Sequence, residues 1–194
     1  MSRLILASGS PYRRRLMAAA GYRFEVIPAS VEEPLIQDLP AGELAVGLSL
    51  LKAHHVARQH PDALVVGSDQ VLQMPDGRHG EKTYDPLQAA RVLHALQGRV
   101  HRLYSAAAVV GQGVEEVVVQ VAELRMRRLS QVEMDAYLRT LEWQGCAGGY
   151  ELEHRGVHLF EEIDGDWFTV LGLPLMALKD VLRGLGVNPL AHGR

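Results

Sequence analysis

Serine hydroxyls and a run of arginines lie close together near the start of the chain, and these groups could bind a polyphosphate. Ser10 is a good N-cap and Pro11 suits the first helical position, which predicts that a helix begins there. The arginines at positions 13–15 would then lie in or beside the first turn, where the helix dipole disfavours cations. A polyphosphate bound by guanidinium groups, hydroxyls and free backbone N–H groups would explain this arrangement; a solvated basic turn is the alternative.

Two carboxylates and two lysines further along the chain could take part in phosphate chemistry. Asp69 follows a buried strand, where a carboxylate can ligate Mg²⁺ or take a proton from water, although aspartates are also common in turns at strand ends. Glu33 lies in an acidic, proline-bounded loop and could be a second metal ligand or a solvated charge. The ammonium groups of Lys52 and Lys82 could each reach a phosphate or extend into solvent. Taken one at a time, these residues leave both interpretations open.

Several common motifs of catalysis and binding are missing from the sequence. The chain has no GxxxxGK[ST] phosphate loop, no GxGxxG segment and no GxSxG nucleophile elbow. Its histidines lack the spacing of a zinc site. Cys146 is the single cysteine, which excludes an internal disulfide and a multi-cysteine metal site, and no obvious base lies beside it in sequence.

Composition limits the class of protein further. The chain has 194 residues, a hydrophobic share of 47% and a formal net charge of −3, with a pI near 6.3. Such a chain lacks the dominating basic surface expected for broad binding to nucleic acid or to a membrane surface. Basic clusters at positions 13–15 and 125–128 leave an RNA-binding module as a rival, which the low pI and the lack of interleaved aromatics disfavour. No apolar run suits a signal peptide or a membrane span, so a cytoplasmic location is expected.

The order of the predicted elements indicates a mixed α/β fold. Apolar and alternating runs predict strands, while apolar residues three and four positions apart predict helices. The predicted strands cover residues 4–7, 22–27, 63–67 with an extension to 74, 99–110, 114–126 and 157–163. The predicted helices begin at residue 11, cover 43–59, 86–96 and 130–141, and end with a helix from about 175 to 184. Because residues 99–126 form a central antiparallel hairpin, a plain doubly wound parallel sheet is not expected.

Separated motifs in this chain occur in the order seen in the Maf family of nucleotide pyrophosphatases, and the resemblance runs from residue 3 to about residue 186. The matching motifs are Ser8-x-Ser10-Pro11-x-Arg13, Glu33, Lys52-Ala53, Gly67-Ser68-Asp69-Gln70, Lys82 and Gly172-Leu173-Pro174-Leu175. The resemblance implies one α/β domain over residues 1–194, with a mixed sheet and two lobes around a cleft, related in shape to the inosine-triphosphate pyrophosphatases. It also implies Mg²⁺- or Mn²⁺-dependent cleavage between the α and β phosphates of a nucleoside triphosphate, giving a monophosphate and pyrophosphate.

The same resemblance assigns roles to residues. The implied catalytic residues are Asp69, Lys52 and Lys82, the implied metal ligands are Glu33 and Asp69, and the implied substrate-binding residues are Ser8, Tyr12, Arg13, Arg14, Gln70 and Glu153. Asp69 would orient or deprotonate the attacking water while the cationic side chains grip the triphosphate. Lys82 departs from the family's Gly-Lys-Pro pattern, because its neighbours here are Glu81 and Thr83.

Three positions indicate the subfamily. Family members that act on dTTP and UTP usually carry Arg, Thr and Gln where this chain has Tyr12, Gln70 and Glu153. The chain more closely resembles the subfamily that hydrolyses 7-methyl-GTP. A cationic 7-methylguanine would gain about 0.5–2 kcal/mol by stacking on Tyr12, and Glu153 could accept hydrogen bonds from guanine N1–H and its amine. Exchanging the three residues for Arg, Thr and Gln is predicted to shift the preference towards dTTP or UTP.

The sequence leaves open two other functions and one assembly state. A dTTP/UTP pyrophosphatase is the alternative within the family, and a regulator that binds nucleotides without hydrolysing them is the alternative outside enzymes. The long predicted hairpin offers an edge through which two copies could pair as a homodimer.

Overall fold

The computed structural model describes residues 3–33 and 36–191, and these form a mixed α/β fold. Two compact units are present. The first unit comprises Met1–Gln70, Ser105–Gln120 and Asp166–Arg194, and the second comprises Val71–Tyr104 and Val121–Gly165. Among the described helices, none is long and apolar enough to cross a membrane.

A six-stranded sheet contains every named strand. The strands are β1 (Arg3–Leu6), β2 (Glu25–Val26), β3 (Ala63–Gln73), β4 (Val100–Gly111), β5 (Val114–Met126) and β6 (Phe160–Asp164). Their order is β2-β1-β3-β4-β5-β6. β1 runs parallel to both β2 and β3, whereas β5 and β6 are antiparallel. The predicted mixed α/β class is therefore confirmed.

The described helices surround parts of this sheet. They are α1 (Pro11–Ala19), α2 (Ala41–Ala57), α3 (Pro86–Leu96), α4 (Gln131–Leu138), α5 (Trp167–Val170) and α6 (Leu175–Gly184). α3 has the predicted bounds, and α2, α4 and α6 lie close to their predicted positions. The helix α4 begins with a complete capping box, because the Ser130 and Glu133 side chains each accept from the other's backbone N–H.

The first unit buries both faces of its strands, which explains why those strands are continuous apolar runs. One cluster of buried side chains packs with α1 and α6 and consists of Leu4, Leu6, Met17, Tyr22, Leu64, Val66, Ala107, Val109, Leu173, Leu175, Leu178 and Leu182. A second cluster packs with α2 and consists of Ile5, Ala7, Ala53, Val56, Ala63, Val65, Ala108 and Val110. Successive residues of β1 belong alternately to the two clusters, as the strand period of two requires.

Three predicted elements differ from the structure. The strand expected at residues 22–27 is only two residues long, because pairing with β1 is limited to Glu25 and Val26. The strand expected at 157–163 begins as a 3₁₀ helix, Arg155–Leu159, and only its second part pairs with β5 as β6. The short helix α5 was not predicted, since four residues are too few to show helical periodicity.

Candidate functional site

The first helix begins where the serine and proline pattern predicts. Ser10 is the N-cap of α1 and its hydroxyl accepts a hydrogen bond from the backbone N–H of Arg13 at 3.4 Å, with Pro11 at the first position. The hydroxyl of Ser8 in turn accepts from the backbone N–H of Ser10 at 3.3 Å. The end of β1 and the start of α1 therefore present two hydroxyls beside a helix N-terminus, an arrangement suited to anions.

Arg13 points into the first unit rather than into solvent. Its Nε donates to the carbonyl oxygen of Gly172 at 2.8 Å and its Nη1 donates to the hydroxyl of Ser8 at 3.2 Å. Burial lowers the pKa of Arg13, and the carboxylates of Asp69 and Glu33 oppose that effect. Within the described residues, Arg13 has hydrogen bonds to neutral oxygens but no ion pair. Arg13 is therefore a half-buried cation held by neutral oxygens, and the carboxylates of Asp69 and Glu33 act on it electrostatically.

Lys52 lies between two carboxylates. Its Nζ is 2.5 Å from Oδ1 of Asp69 and 3.0 Å from Oε1 of Glu33. The side chains of Lys52 and Asp69 are only 8% and 10% exposed, whereas Glu33 is 46% exposed. The pairing compensates much of the cost of burying Lys52 and Asp69. The structure thus brings together three residues that the sequence left far apart.

A close contact between α2 and β3 places Lys52 beside Asp69. A Cβ at Gly67 would lie 2.1 Å from the carbonyl oxygen of Ser49 and 2.6 Å from the backbone nitrogen of Ala53. Only glycine allows such an approach, so the helix backbone packs directly on the strand backbone. Lys52 precedes Ala53 and Asp69 lies two residues after Gly67, so this contact fixes the distance between their side chains.

The carboxylate pair fits a hard divalent cation. Mg²⁺ is usually held by one or two carboxylates together with substrate phosphates and water. The described residues contain no group of three or more histidine, cysteine, aspartate or glutamate side chains arranged for a metal. Asp69 and Glu33 already share a positively charged ammonium group, which shows that their position favours a cation. The donor set therefore suits a metal whose remaining ligands come from a phosphate group.

The amide nitrogen of Gln70 is occupied by protein groups. Its Nε2 donates to the carbonyl oxygens of Thr169 and Val170, each at 3.0 Å, and to the hydroxyl of Ser105 at 3.1 Å. Sequence reasoning identified Gln70 but missed Ser105 and Thr169, whose only signal was a hydroxyl in an otherwise apolar segment.

The other predicted substrate residues of the first unit lie on α1. The guanidinium carbon of Arg15 is 4.7 Å from the centroid of the Tyr12 ring, a cation–π contact. Tyr12 is partly buried, whereas Arg14 is exposed. The structure therefore connects Arg13, but not Arg14, to the buried hydrogen bonds of this unit.

Lys82 and Glu153 belong to the second unit, and both are exposed. Both act on Cys146: burial raises the pKa of that thiol to about 12, with a further increase from the carboxylates of Glu151 and Glu153 and an opposing effect of Lys82. The predicted phosphate lysine and the predicted base-reading carboxylate therefore lie in one neighbourhood. A thiol with so high a pKa is protonated at neutral pH and is a poor nucleophile.

Sequence comparison with known proteins gives matches over almost the whole chain. A family model described as "Maf-like protein" matches residues 3–185. A "Nucleoside triphosphate pyrophosphatase" of Nitrobacter hamburgensis is 44% identical over 95% of this chain and 94% of its own length. A "7-methyl-GTP pyrophosphatase" of Rhizobium meliloti is 42% identical over 94% and 96%, and a "dTTP/UTP pyrophosphatase" of Moorella thermoacetica is 39% identical over 97% of both chains. A solved structure of the Staphylococcus aureus Ham1 protein aligns with a TM-score of 0.45 and 15% identity, covering 64% of this chain and 71% of that one.

Proposed function

Because this chain belongs to the Maf-like protein family, we propose that it cleaves 7-methyl-GTP between the α and β phosphates, releasing 7-methyl-GMP and pyrophosphate. The chain is a hydrolase, a nucleoside triphosphate pyrophosphatase. The observation that supports the proposal most directly is the half-buried Arg13, a cation held by neutral oxygens near the Lys52, Asp69 and Glu33 cluster. A desolvated guanidinium gains most from an anionic ligand, and the phosphate chain of a nucleotide supplies one.

We propose that Arg13 and Ser8 bind the phosphates. A guanidinium has five N–H donors, and the contacts with Gly172 and Ser8 use two of them. The remaining donors are oriented by these contacts and can make a bidentate contact with a phosphate. The N-terminus of α1 adds favourable backbone dipoles. The proposed roles of Lys82 and Arg14 are to add positive charge along the phosphates.

The proposed chemistry is attack of water on the α phosphorus with departure of pyrophosphate. Asp69 orients the water and accepts its proton, and Lys52 holds the Asp69 carboxylate in place through their ion pair. Glu33 and Asp69 are the proposed ligands of Mg²⁺ or Mn²⁺. When bound, the metal supplies positive charge that offsets the charge developing on the phosphates.

The proposed reading of the base depends on Tyr12, Gln70 and Glu153. The aromatic ring of Tyr12 is suited to stacking on a cationic base. The carboxylate of Glu153 can accept from the N1–H and amine of a guanine. The name of the Rhizobium meliloti relative supports 7-methyl-GTP, and the name of the Moorella thermoacetica relative keeps dTTP and UTP as the second candidate.

The experiment that tests the proposal is measurement of pyrophosphate release by the purified protein with Mg²⁺ or Mn²⁺. The substrates compared are 7-methyl-GTP, GTP, dTTP, UTP and CTP. The largest kcat/KM is expected for 7-methyl-GTP. Preference for dTTP or UTP would overturn the proposed substrate and leave the enzyme class unchanged. Binding of nucleotides without pyrophosphate release would favour the non-catalytic regulator.

A further inference from the structure

We propose that Ser105 is a positioning residue for Arg13: its hydroxyl fixes the turn after α5, and the Gly172 carbonyl of that turn holds the arginine. The inference rests on the proposed function only in that Arg13 is taken to bind the phosphates. The hydrogen bonds that connect Ser105 to Arg13 all lie within the first unit. Ser105 is not itself a proposed substrate-binding residue, although its hydroxyl accepts from Gln70, which is one.

Hydrogen bonds connect Ser105 to the turn that follows α5. The carbonyl oxygen of Thr169 accepts from the hydroxyl of Ser105 at 2.7 Å and from Nε2 of Gln70 at 3.0 Å. The same oxygen accepts from the backbone N–H of Gly172 at 3.1 Å. Gln70 also donates to the hydroxyl of Ser105, which links the two side chains. The hydroxyl and the amide therefore fix a carbonyl to which Gly172 is directly bonded.

The turn that follows α5 has a defined backbone geometry. The N–H of Gly172 bonds to the carbonyl of Thr169, and the N–H of Leu173 bonds to the carbonyl of Phe168 at 3.1 Å. Gly172 has a φ of +94°. Together these features form a Schellman motif, in which glycine takes the left-handed position after the helix. The N–H of Gly172 is used inside the motif, while its carbonyl oxygen is available to other groups.

The same turn is hydrogen-bonded to Arg13. The carbonyl oxygen of Gly172 accepts from Nε of Arg13 at 2.8 Å and from the hydroxyl of Ser68 at 3.4 Å. The carbonyl groups of Thr169 and Gly172 belong to one short stretch of backbone, and no flexible side chain lies between them. Displacement of the Thr169 carbonyl would therefore displace the Gly172 carbonyl, which is the acceptor of Arg13. Ser105 thus acts on the guanidinium through two backbone groups.

The burial of Ser105 supports this role. Ser105 is fully buried on β4 and is followed by an apolar run from Ala106 to Val110. A hydroxyl in such surroundings costs stability unless it is hydrogen-bonded, and here it both donates and accepts. Alanine at this position would remove the donor and leave the Gln70 amide with one acceptor fewer.

Ser105→Ala is expected to weaken binding of the phosphates, whichever base the nucleotide carries. KM should rise roughly tenfold for 7-methyl-GTP, GTP and UTP alike, corresponding to the loss of one or two hydrogen bonds. Ser105→Thr keeps the hydroxyl and should restore KM towards the wild-type value. The matched control is Thr140→Val, which removes a half-buried hydroxyl-to-carbonyl bond of 2.7 Å in the second unit and should leave KM unchanged.

A double-mutant cycle with Arg13→Lys distinguishes positioning from a separate effect. If Ser105 acts through Arg13, Ser105→Ala should raise KM much less in the Arg13→Lys background than in the wild type. A lysine cannot reproduce the fork that the Gly172 carbonyl orients. Equal increases of KM in both backgrounds would overturn the proposal.

A measurement without nucleotide separates this inference from the proposed function. The rate at which an arginine-selective dicarbonyl reagent modifies Arg13 is measured by peptide mass spectrometry, together with hydrogen exchange over residues 168–173. Ser105→Ala should accelerate both, and Thr140→Val should alter neither. If the wild type released no pyrophosphate, the proposed function would fail, yet faster modification and exchange would still support the positioning role. Unchanged rates in a folded Ser105→Ala protein would refute it, and Ser105→Cys provides a second variant if alanine prevents folding.

Discussion

Asp69 and Lys52 each carry a charge that would be costly to bury alone. Removing an ion from water costs several kcal/mol after relaxation, and a close opposite charge offsets part of that cost. The 2.5 Å contact between Lys52 Nζ and Asp69 Oδ1 supplies the opposite charge, and Glu33 adds a second one at 3.0 Å. Asp69 lies inside β3, whereas the sequence predicts it after the strand, because the strand continues to Gln73. Retaining a buried carboxylate within a strand is a feature that favours chemistry over stability alone.

Asp69→Asn tests whether that carboxylate takes part in the reaction. An amide of the same shape cannot accept a proton from water and is a weaker metal ligand, so kcat should fall by at least roughly 100-fold. Lys52 would retain its contact with Glu33, so the far-UV circular dichroism spectrum should be unchanged. The matched control is Asp76→Asn, an exposed turn carboxylate of the second unit bonded to Arg78. A near-normal kcat for Asp69→Asn would show that Asp69 is not the base.

Residue type explains which parts of the site could be predicted from the sequence. Arg13, Lys52 and Asp69 carry charges at unusual positions in their elements, and each was identified. The carbonyl of Gly172 and the hydroxyl of Ser105 carry no such signal, because one belongs to the backbone and the other is an ordinary serine. Their roles depend on a contact between Arg13 and Gly172 across 159 positions of sequence, which local pattern cannot supply.

Helix α4 is an element whose start follows directly from local sequence. The Ser130 hydroxyl accepts from the N–H of Glu133 at 3.3 Å, and the Glu133 carboxylate accepts from the N–H of Ser130 at 2.8 Å. The structure adds a partner that the pattern did not include, since Nη2 of Arg127 donates to Glu133 at 2.7 Å. The hydrogen bonds from Arg127 and Ser130 lower the pKa of Glu133 to about 2.

Glu133→Gln should remove the stability that the Glu133 charge gives to this cap above about pH 4.5. A carboxyl whose pKa is lowered in the folded state stabilises the protein above its unfolded pKa of about 4.3, and this contribution is lost as the pH falls towards 2. The difference in free energy of unfolding between wild type and Glu133→Gln should therefore be constant above pH 5 and shrink between pH 4.5 and about 2. Denaturant unfolding at a series of pH values measures it. A difference that did not vary with pH would show that Glu133 acts through its shape rather than its charge.

The elements that were not predicted share a physical cause. The helix α5 contains four residues and is held by the Asp166 cap, by the Schellman turn and by Gln70, so its stability comes from neighbours rather than from its own sequence. Residues 155–159 form a 3₁₀ helix although Val157 and Leu159 suit a strand. In both cases tertiary contacts decide between conformations of similar local energy.

At the scale of the whole chain, stability depends on two cores built in different ways. The first unit stacks alternating apolar residues of its strands against helices on both faces. The second unit includes a polar group among its buried aromatics. His101 is buried there, its Nε2 lies 2.7 Å from the Tyr150 hydroxyl, and its ring packs against Phe160 at a centroid distance of 5.9 Å. Within the described residues, its Nδ1 has no hydrogen-bond partner.

This histidine should make the protein sensitive to mild acid. Burial lowers the pKa of His101 to about 4, whereas an unfolded histidine has a pKa of about 6.5. Burial also raises the pKa of Tyr150, so both members of the pair are neutral in the folded protein. Between pH 6.5 and 4 the unfolded chain binds a proton that the folded chain does not, and the free energy of unfolding should fall by about 3 kcal/mol.

His101→Gln should remove this fall in the free energy of unfolding between pH 6.5 and 4, because glutamine does not titrate. The free energy of unfolding is measured from pH 7 to pH 4 for wild type, His101→Gln and His94→Gln, the last being an exposed histidine of α3 that serves as the matched control. The wild type and His94→Gln should lose stability together, while His101→Gln should be flatter over the same range whatever its stability at pH 7. The stability that the Glu133 cap provides is constant above about pH 5 and is lost mainly below pH 4.5, so the two changes with pH occupy largely separate windows. An equal fall for His101→Gln and wild type would mean that other groups take up the proton, and the buried His101–Tyr150 pair would then have no part in acid sensitivity.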